Sequence, residues 1–343
     1  MRTIAKFFLS LSLLIPFAAS GEVIAELHEF SRPSIFLVRY DRVYVMEAAS
    51  VFIYNLKDFK LEKKFGKAGE GPREFKYNGN DARPLGLIFN NGEMIVNSIN
   101  KLSYFDKAGN YLREENVTVD RLLFPIKDKY LGIGPILVPE KNKRILGFTL
   151  HDRNFKSSEV VFMSDFDLGN PEKILLPMTT FTYNPVYKDK IYINSKSDAF
   201  RIVVKDVAGK VLSVIEKDYP RIEVPASFRA EALEYFRTSP RFRRSFEFIK
   251  QAIEIRKYYP QIRDIQIVDD HIYVLSFKRK NQLWELRKLG LDGQEMGTVF
   301  IPLSRYEVIS FYPVFYSVFQ GRVYSMVEDE EDEVWRIHVT DFN

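Results

Sequence analysis

Lys190-Ile191-Tyr192-Ile193-Asn194, then Arg201-Ile202-Val203-Val204-Lys205-Asp206-Val207-Ala208-Gly209, is a short alternating strand, a polar break, a second strand and a turn. The Asp and Gly at its end are turn chemistry: Asp bonds its own backbone, and Gly accepts a positive φ. The same grammar recurs along the chain. Arg42–Met46 leads to Val51–Leu56, and Glu93–Asn97 leads to Leu102–Gly109. His271–Leu275 leads to Leu283–Arg287 and then Leu291-Asp292-Gly293, and Arg322–Met326 leads to Val334–Val339. A degenerate copy runs from Tyr130–Ile133 to Ile145–Leu150.

These six copies recur at multiples of about 40–50 residues, the period of a four-stranded propeller blade. The expected fold is all-β, a six-bladed β-propeller. Only Thr340–Asn343 follow the last strand, too few for its outer neighbour. Glu22–Leu27 is therefore expected to close the ring from the other end of the chain, which removes an exposed edge. Trp284 and Trp335 stand in equivalent strands and read as packing anchors between blades.

The rhythm breaks once. The fourth and fifth copies start about 80 residues apart, and the excess, about 225–260, carries helical periodicity. Ser239-Pro240 reads as a helix start, with Phe242, Phe246, Ile249 and Ile253 on one face behind it. Ala232, Leu233 and Phe236 mark a shorter helix before it. We expect a helical hairpin inserted between blades 4 and 5 and projecting from the ring. From Arg221 to Arg263 there are ten Lys/Arg against five Glu. Arg237, Arg241, Arg243 and Arg244 are the candidate patch for an anionic partner. The acidic run Glu328–Glu333 falls between two strands of the last copy and reads as a hairpin loop.

Residues 1–20 read as an export signal: Arg2 and Lys6, an apolar run from Phe7 to Ala19, then Ala18-Ala19-Ser20. That run is too short to span a bilayer comfortably as a helix. The domain plan is a signal at 1–20 and one propeller over 21–343, exported to the periplasm or the extracellular space, not membrane-spanning, and monomeric. The formal charge of +4 includes two signal-segment cations. A near-neutral mature chain gives no reason to expect nucleic acid as a partner.

Phe65-Gly66-Lys67-Ala68-Gly69-Glu70-Gly71-Pro72-Arg73-Glu74-Phe75 resembles the blade-to-blade linker of exported bacterial six-bladed β-propellers related to NHL repeats. Tyr258–Val274 is similar to the entry into the fifth blade of that family, directly after a helical insert. The resemblance implies the fold and an exported location. It supplies no catalytic residues.

Composition removes many chemistries. There is no Cys, hence no disulfide, thiolate zinc site, iron–sulfur cluster or thiol nucleophile. The four His, at 28, 151, 271 and 338, fall in different copies and do not form a zinc motif. Gly69-Glu70-Gly71 is followed by Pro72, which lacks a backbone donor, and by no Gly-Lys-Ser/Thr, so it reads as a turn rather than a phosphate cradle. No Gly-x-Ser-x-Gly elbow occurs.

The leading reading is a binding or interaction module for a protein or small ligand, with no catalysis and no cofactor evident. The alternative is a calcium-dependent hydrolase or lyase at the channel mouth, with Asp81, Asn184 and Asp264 as oxygen ligands. For a ligand-binding channel or face the candidates are Arg39, Arg83, Arg121, Tyr183, Arg263 and Tyr312, with Arg suited to carboxylate or phosphate.

Overall fold

The computed structural model describes residues 21–77, 85–119, 121–141, 143–167, 174–177, 184–196, 198–239, 242–303, 314–329 and 331–342. The expected export signal lies outside them. Six four-stranded antiparallel sheets follow one another along the chain, each with its strands in sequence order except the last. The first strands are Ile35–Arg39, Gly86–Asn90, Leu122–Ile126, Val186–Tyr187, Asp264–Val268 and Tyr316–Phe319. Those of blades 2 to 6 and then blade 1 touch in succession, so they form the inner ring. The fold is a six-bladed β-propeller.

Closure follows the sequence expectation. Glu22–Leu27 pairs antiparallel with Val334–Asp341, Leu27 opposite Trp335 and Glu26 opposite Arg336. The sixth blade is thus built from both ends of the described chain. Leu27, Trp335 and Ile337 join Phe36, Val45 and Phe52 of blade 1 in one buried cluster, which carries the core across the closure. Trp284 lies in another, shared by blades 5 and 6.

Side chains also stitch the inner ring. Gln266 of blade 5 donates to Tyr316 O at 2.8 Å and accepts from Val318 N at 3.3 Å. Ser317 Oγ of blade 6 accepts from Val38 N of blade 1 at 2.9 Å. Arg39 Nη1 returns to Val318 O at 2.6 Å. Inner-strand backbone groups have no further strand to pair with, and these side chains satisfy them. Gln266→Leu should leave Val318 N and Tyr316 O without that partner and cost about 2 kcal/mol in urea unfolding; a loss within error of zero would show that water replaces the stitch.

The linker between blades 1 and 2 is a packed turn. Phe75 is fully buried, and a β-carbon on Gly66 (φ +87°) would lie 2.4 Å from its ring. Glu74 turns back to accept from Gly71 N at 2.9 Å and pairs with Lys67 at 2.9 Å. The glycines here serve the fold of the linker itself.

Two helices lie between the outer strand of blade 4 and the inner strand of blade 5: α1, Phe228–Thr238, and α2, Phe246–Ala252. They correct two expectations. Ser239 ends α1 instead of starting the second helix; it is extended, as the residue before a proline favours. Ile253 leaves the helix and begins the strand Ile253–Ile255, which pairs in parallel with Ile174–Leu176. Nor does the insert stand clear of the ring. Phe228, Ala232 and Phe236 of α1 and Ile249 of α2 share one buried cluster with Tyr273, Leu275, Phe277 and Trp284 of blade 5. An apolar stripe at i, i+4 and i+8 has to be covered, and blade 5 covers it. Among the described residues no helix is long and apolar enough to cross a membrane.

Candidate functional site

Because the blades repeat around one axis, all inner strands run the same way. One face of the ring is where they begin, the entry face; the other is the exit face. On the exit face each first-to-second connection is two residues long: 40–41, 91–92, 127–128, 188–189, 269–270 and 320–321. Positive φ at both residues of Tyr40-Asp41, Asn91-Gly92, Lys188-Asp189, Asp269-Asp270 and Gln320-Gly321 is the tight hairpin geometry that matches strand twist. The third-to-fourth connections there run to at most five residues.

The entry face holds the excess chain. The segment with α1 and α2 follows the outer strand of blade 4, which ends on it. Three hairpins overhang it, because their strands outrun the inner strand beside them. In blade 3, Lys129–Val138 and Lys143–Asp152 extend past Leu122, which pairs with Ile133. In blade 5, His271–Lys280 and Leu283–Gly290 extend past Asp264, which pairs with Leu275. In blade 6, Arg322–Asp329 and Val334–Asp341 extend past Tyr316, which pairs with Ser325. The blade 5 tip, Lys278 to Gln282, is exposed and basic. The blade 6 tip carries exposed Glu331, Asp332 and Glu333, and Arg336 gathers Asp329 and Asp332 at its base. Of the run expected as a hairpin loop, Glu331, Asp332 and Glu333 form the turn, while Glu328 and Asp329 end the strand before it.

The blade 5 hairpin is fixed by a buried carboxylate. Glu285 accepts from Ser276 Oγ at 3.1 Å, Lys278 Nζ at 2.9 Å, Arg287 Nε at 3.0 Å, and from the Tyr219 hydroxyl. Burial would raise its pKa, but hydrogen bonds from Tyr219 and Lys278 and the charge of Arg287 carry it below the ordinary value. Burial, with Glu285 beside it, pushes Tyr219 up to about 12. Both carboxylate oxygens take donors from the protein itself, so this network builds the hairpin.

At the entry mouth the structure brings together Arg263 and Asp264 of blade 5 with Tyr316 of blade 6. Asp264 is 6% exposed, and Arg263 is fully buried. Burial pushes the Asp264 carboxyl up to about 6, against the opposing pull of Arg263 and Tyr316. Burial and the neighbouring Asp264 raise the Tyr316 phenol well above its ordinary value. Arg263 is held in place by its own N–H to Leu275 O at 2.8 Å.

The other candidates scatter. Arg121 and Asn184 lie at the entry side, just before the inner strands of blades 3 and 4, and Asn184 is exposed. Arg39 lies at the exit end, where its guanidinium bonds Val38 O and Val318 O. Arg237 is held bidentate by Glu234 at 2.9 and 2.6 Å, while Arg243 and Arg244 are exposed in the short 3-10 turn before α2. Asp81, Arg83, Tyr183, Arg241 and Tyr312 lie outside the described residues. Among the described residues no three His, Asp or Glu side chains form a group that could hold a metal ion. Arg263 sets a positive charge beside Asp264, so the described residues give the calcium reading no support.

One group was missed from sequence. His151 and Thr149 are buried on the third strand of blade 3, next to Arg121. The readable signal was Gly132 and Gly134 within a strand, which marks a close approach.

The class these observations define is a six-bladed β-propeller with one elaborated face. No family model matches the chain, and no curated protein matches it. Among solved structures, the chain is similar to the β-propeller domain of the trilobed protease from Pyrococcus furiosus, at 11% identity over 91% of this chain and 84% of that one, TM-score 0.41. It is also similar to the Pan2 WD40 domain of Neurospora crassa, at 10% identity over 90% of this chain and 75% of that one, TM-score 0.42. A chain of a nidogen/laminin complex matches at 10% identity over 76% of each, TM-score 0.37. The number of blades rests on this chain's own strand order.

Proposed function

We propose that this propeller is an exported interaction module, periplasmic or extracellular and monomeric, that binds a protein or small ligand on its entry face. The observation that carries this reading is the asymmetry of the two faces. Any propeller needs blade-to-blade links that cross the entry face, but the fold alone asks for no helices and no overhanging hairpins there. Here only the exit face is trimmed, while the entry face holds the helical insert, three overhanging hairpins and the buried Arg263–Asp264–Tyr316 group. Loops on a rigid scaffold are where binding residues concentrate. The NHL-like linker resemblance at Phe65–Phe75 agrees with an exported module of this kind. The helical pair contributes Arg243 and Arg244 to the contact surface, with Arg237 at the end of α1.

Deleting the whole insert is not a clean test, because its apolar stripe covers blade 5. Charge reversal at exposed positions is. Arg244→Glu with Lys280→Glu changes the entry face; Lys57→Glu with Lys107→Glu makes an equal change on the exit face. With the protein immobilised against the exported fraction of its source cells, the entry-face pair should lose the captured partner and the exit-face pair should keep it. Loss on the exit face alone, or equal loss on both, would overturn the assignment.

A further inference from the structure

The sulfur of this chain is thioether only, since there is no Cys. Five methionines fall among the described residues, and they divide sharply. Met46 and Met94 are fully buried in the cluster shared by blades 1 and 2. Met326 is 1% exposed, in the cluster that spans the closure. Met163 and Met296 are 51% and 53% exposed. Both stand on outermost strands, Ser158–Asp167 of blade 3 and Glu295–Ile301 of blade 5. The backbone around each leaves it open. Met163 is the register partner of Gly147, which has no side chain to lay over the sulfur. Met296 is the residue that a bulge leaves out between the pairs Leu289–Glu295 and Lys288–Gly297, and Gly297 beside it is bare as well.

A thioether needs no deprotonation to react with a peroxide, so access decides which methionine is oxidised. A sulfoxide made in water costs the fold little. The same product inside a blade would bury a polar S–O group without a partner. We propose that Met163 and Met296 are the oxidation sites of this propeller, each accepting one oxygen from hydrogen peroxide while the ring stays folded. The sulfur lone pair attacks one peroxide oxygen. The S–O bond forms, the O–O bond breaks, and the second oxygen takes the proton of the first and leaves as water. The sulfur is oxidised by two electrons and the peroxide is reduced by two. The product is the methionine sulfoxide that sulfoxide reductases return to thioether. This inference is independent of the entry-face reading, because neither methionine belongs to the inner ring or to the Arg263–Asp264–Tyr316 group.

Hydrogen peroxide added to the whole folded chain, quenched at intervals and followed by peptide mapping, provides the test. The peptides holding Met163 and Met296 should each gain one oxygen about tenfold or more faster than those holding Met46, Met94 and Met326, which react only when a blade opens. In urea all five should react at one rate, which shows that the fold sets the difference. Once both exposed sites are converted, the melting temperature should lie within about 2 °C of the untreated protein. In a Met163→Leu, Met296→Leu variant, a swap that conserves volume, the three buried methionines should react as slowly as before. Equal rates for all five in the folded chain would overturn the assignment, as would slow oxidation at either exposed methionine. A larger fall in melting temperature while only these two are oxidised would overturn the claim that the ring tolerates the modification. Partner capture on the entry face is measured separately, and neither result decides the other.

Discussion

Oxidising a Glu26→Cys, Arg336→Cys variant is expected to raise its melting temperature by on the order of 10 °C over the same protein kept reduced. The two positions are register partners where Glu22–Leu27 closes blade 6, and their side chains already meet at 3.0 Å. Neither belongs to the core; the substitutions remove the Glu26–Arg336 ion pair and the pairs of Arg336 with Asp329 and Asp332, all at the solvent-facing side of the blade. A bond between them encloses about 310 residues, and the loop-entropy relation then gives about 5–6 kcal/mol. Because the native chain has no Cys, the engineered pair cannot mispair within a molecule. Arg336→Cys alone controls for the release of Asp329 and Asp332 from their shared guanidinium. Thermal melts with and without reductant measure the effect directly. A difference below about 2 °C would mean that blade 6 does not open when the ring unfolds, and that closure is not what limits stability.

The six blades, the closing strand and the acidic hairpin loop were legible because each is a local pattern. Val43-Tyr44-Val45-Met46 and its equivalents alternate over a few residues, and Asp206–Gly209 is a turn by its own chemistry. What was not legible depends on partners far away in sequence. Ile253 continues a helical stripe when read locally, yet it pairs with Ile174 in a parallel strand. The apolar faces of α1 and α2 did not announce that blade 5 would cover them. The two faces of the ring became distinguishable only through register: how far His271–Lys280 outruns Asp264–Val268 cannot be read from either strand alone. Arg39 shows the same limit. As a residue type it suits a ligand, but the ring geometry gives its guanidinium to Val318 O across the closure.

Asp264 supplies the second large effect. Its carboxyl is ordinary in the unfolded chain, near 3.8, and is pushed up to about 6 in the folded one, where burial opposes its charge. Well below pH 3.8 both states hold the proton, and the neutral acid contributes fully to stability. As pH rises from about 3 through 6 the unfolded chain releases its proton while the folded one retains it, so that contribution is progressively lost. Above 6 both are ionised and the loss is complete, up to about 3 kcal/mol. Asp264→Asn mimics the protonated acid at every pH and escapes the loss. In urea unfolding, the variant should therefore gain on the wild type by about 3 kcal/mol between pH 3 and pH 7, with the change centred near pH 5. A difference that stays flat across that range would show that Arg263 and Tyr316 fully compensate the buried carboxylate. Arg263→Leu separates the two influences. Removing the positive charge leaves burial unopposed, raises the folded-state value further and carries the wild-type loss to higher pH, which places Arg263 as the group that lets a carboxylate sit at the mouth of the channel at all.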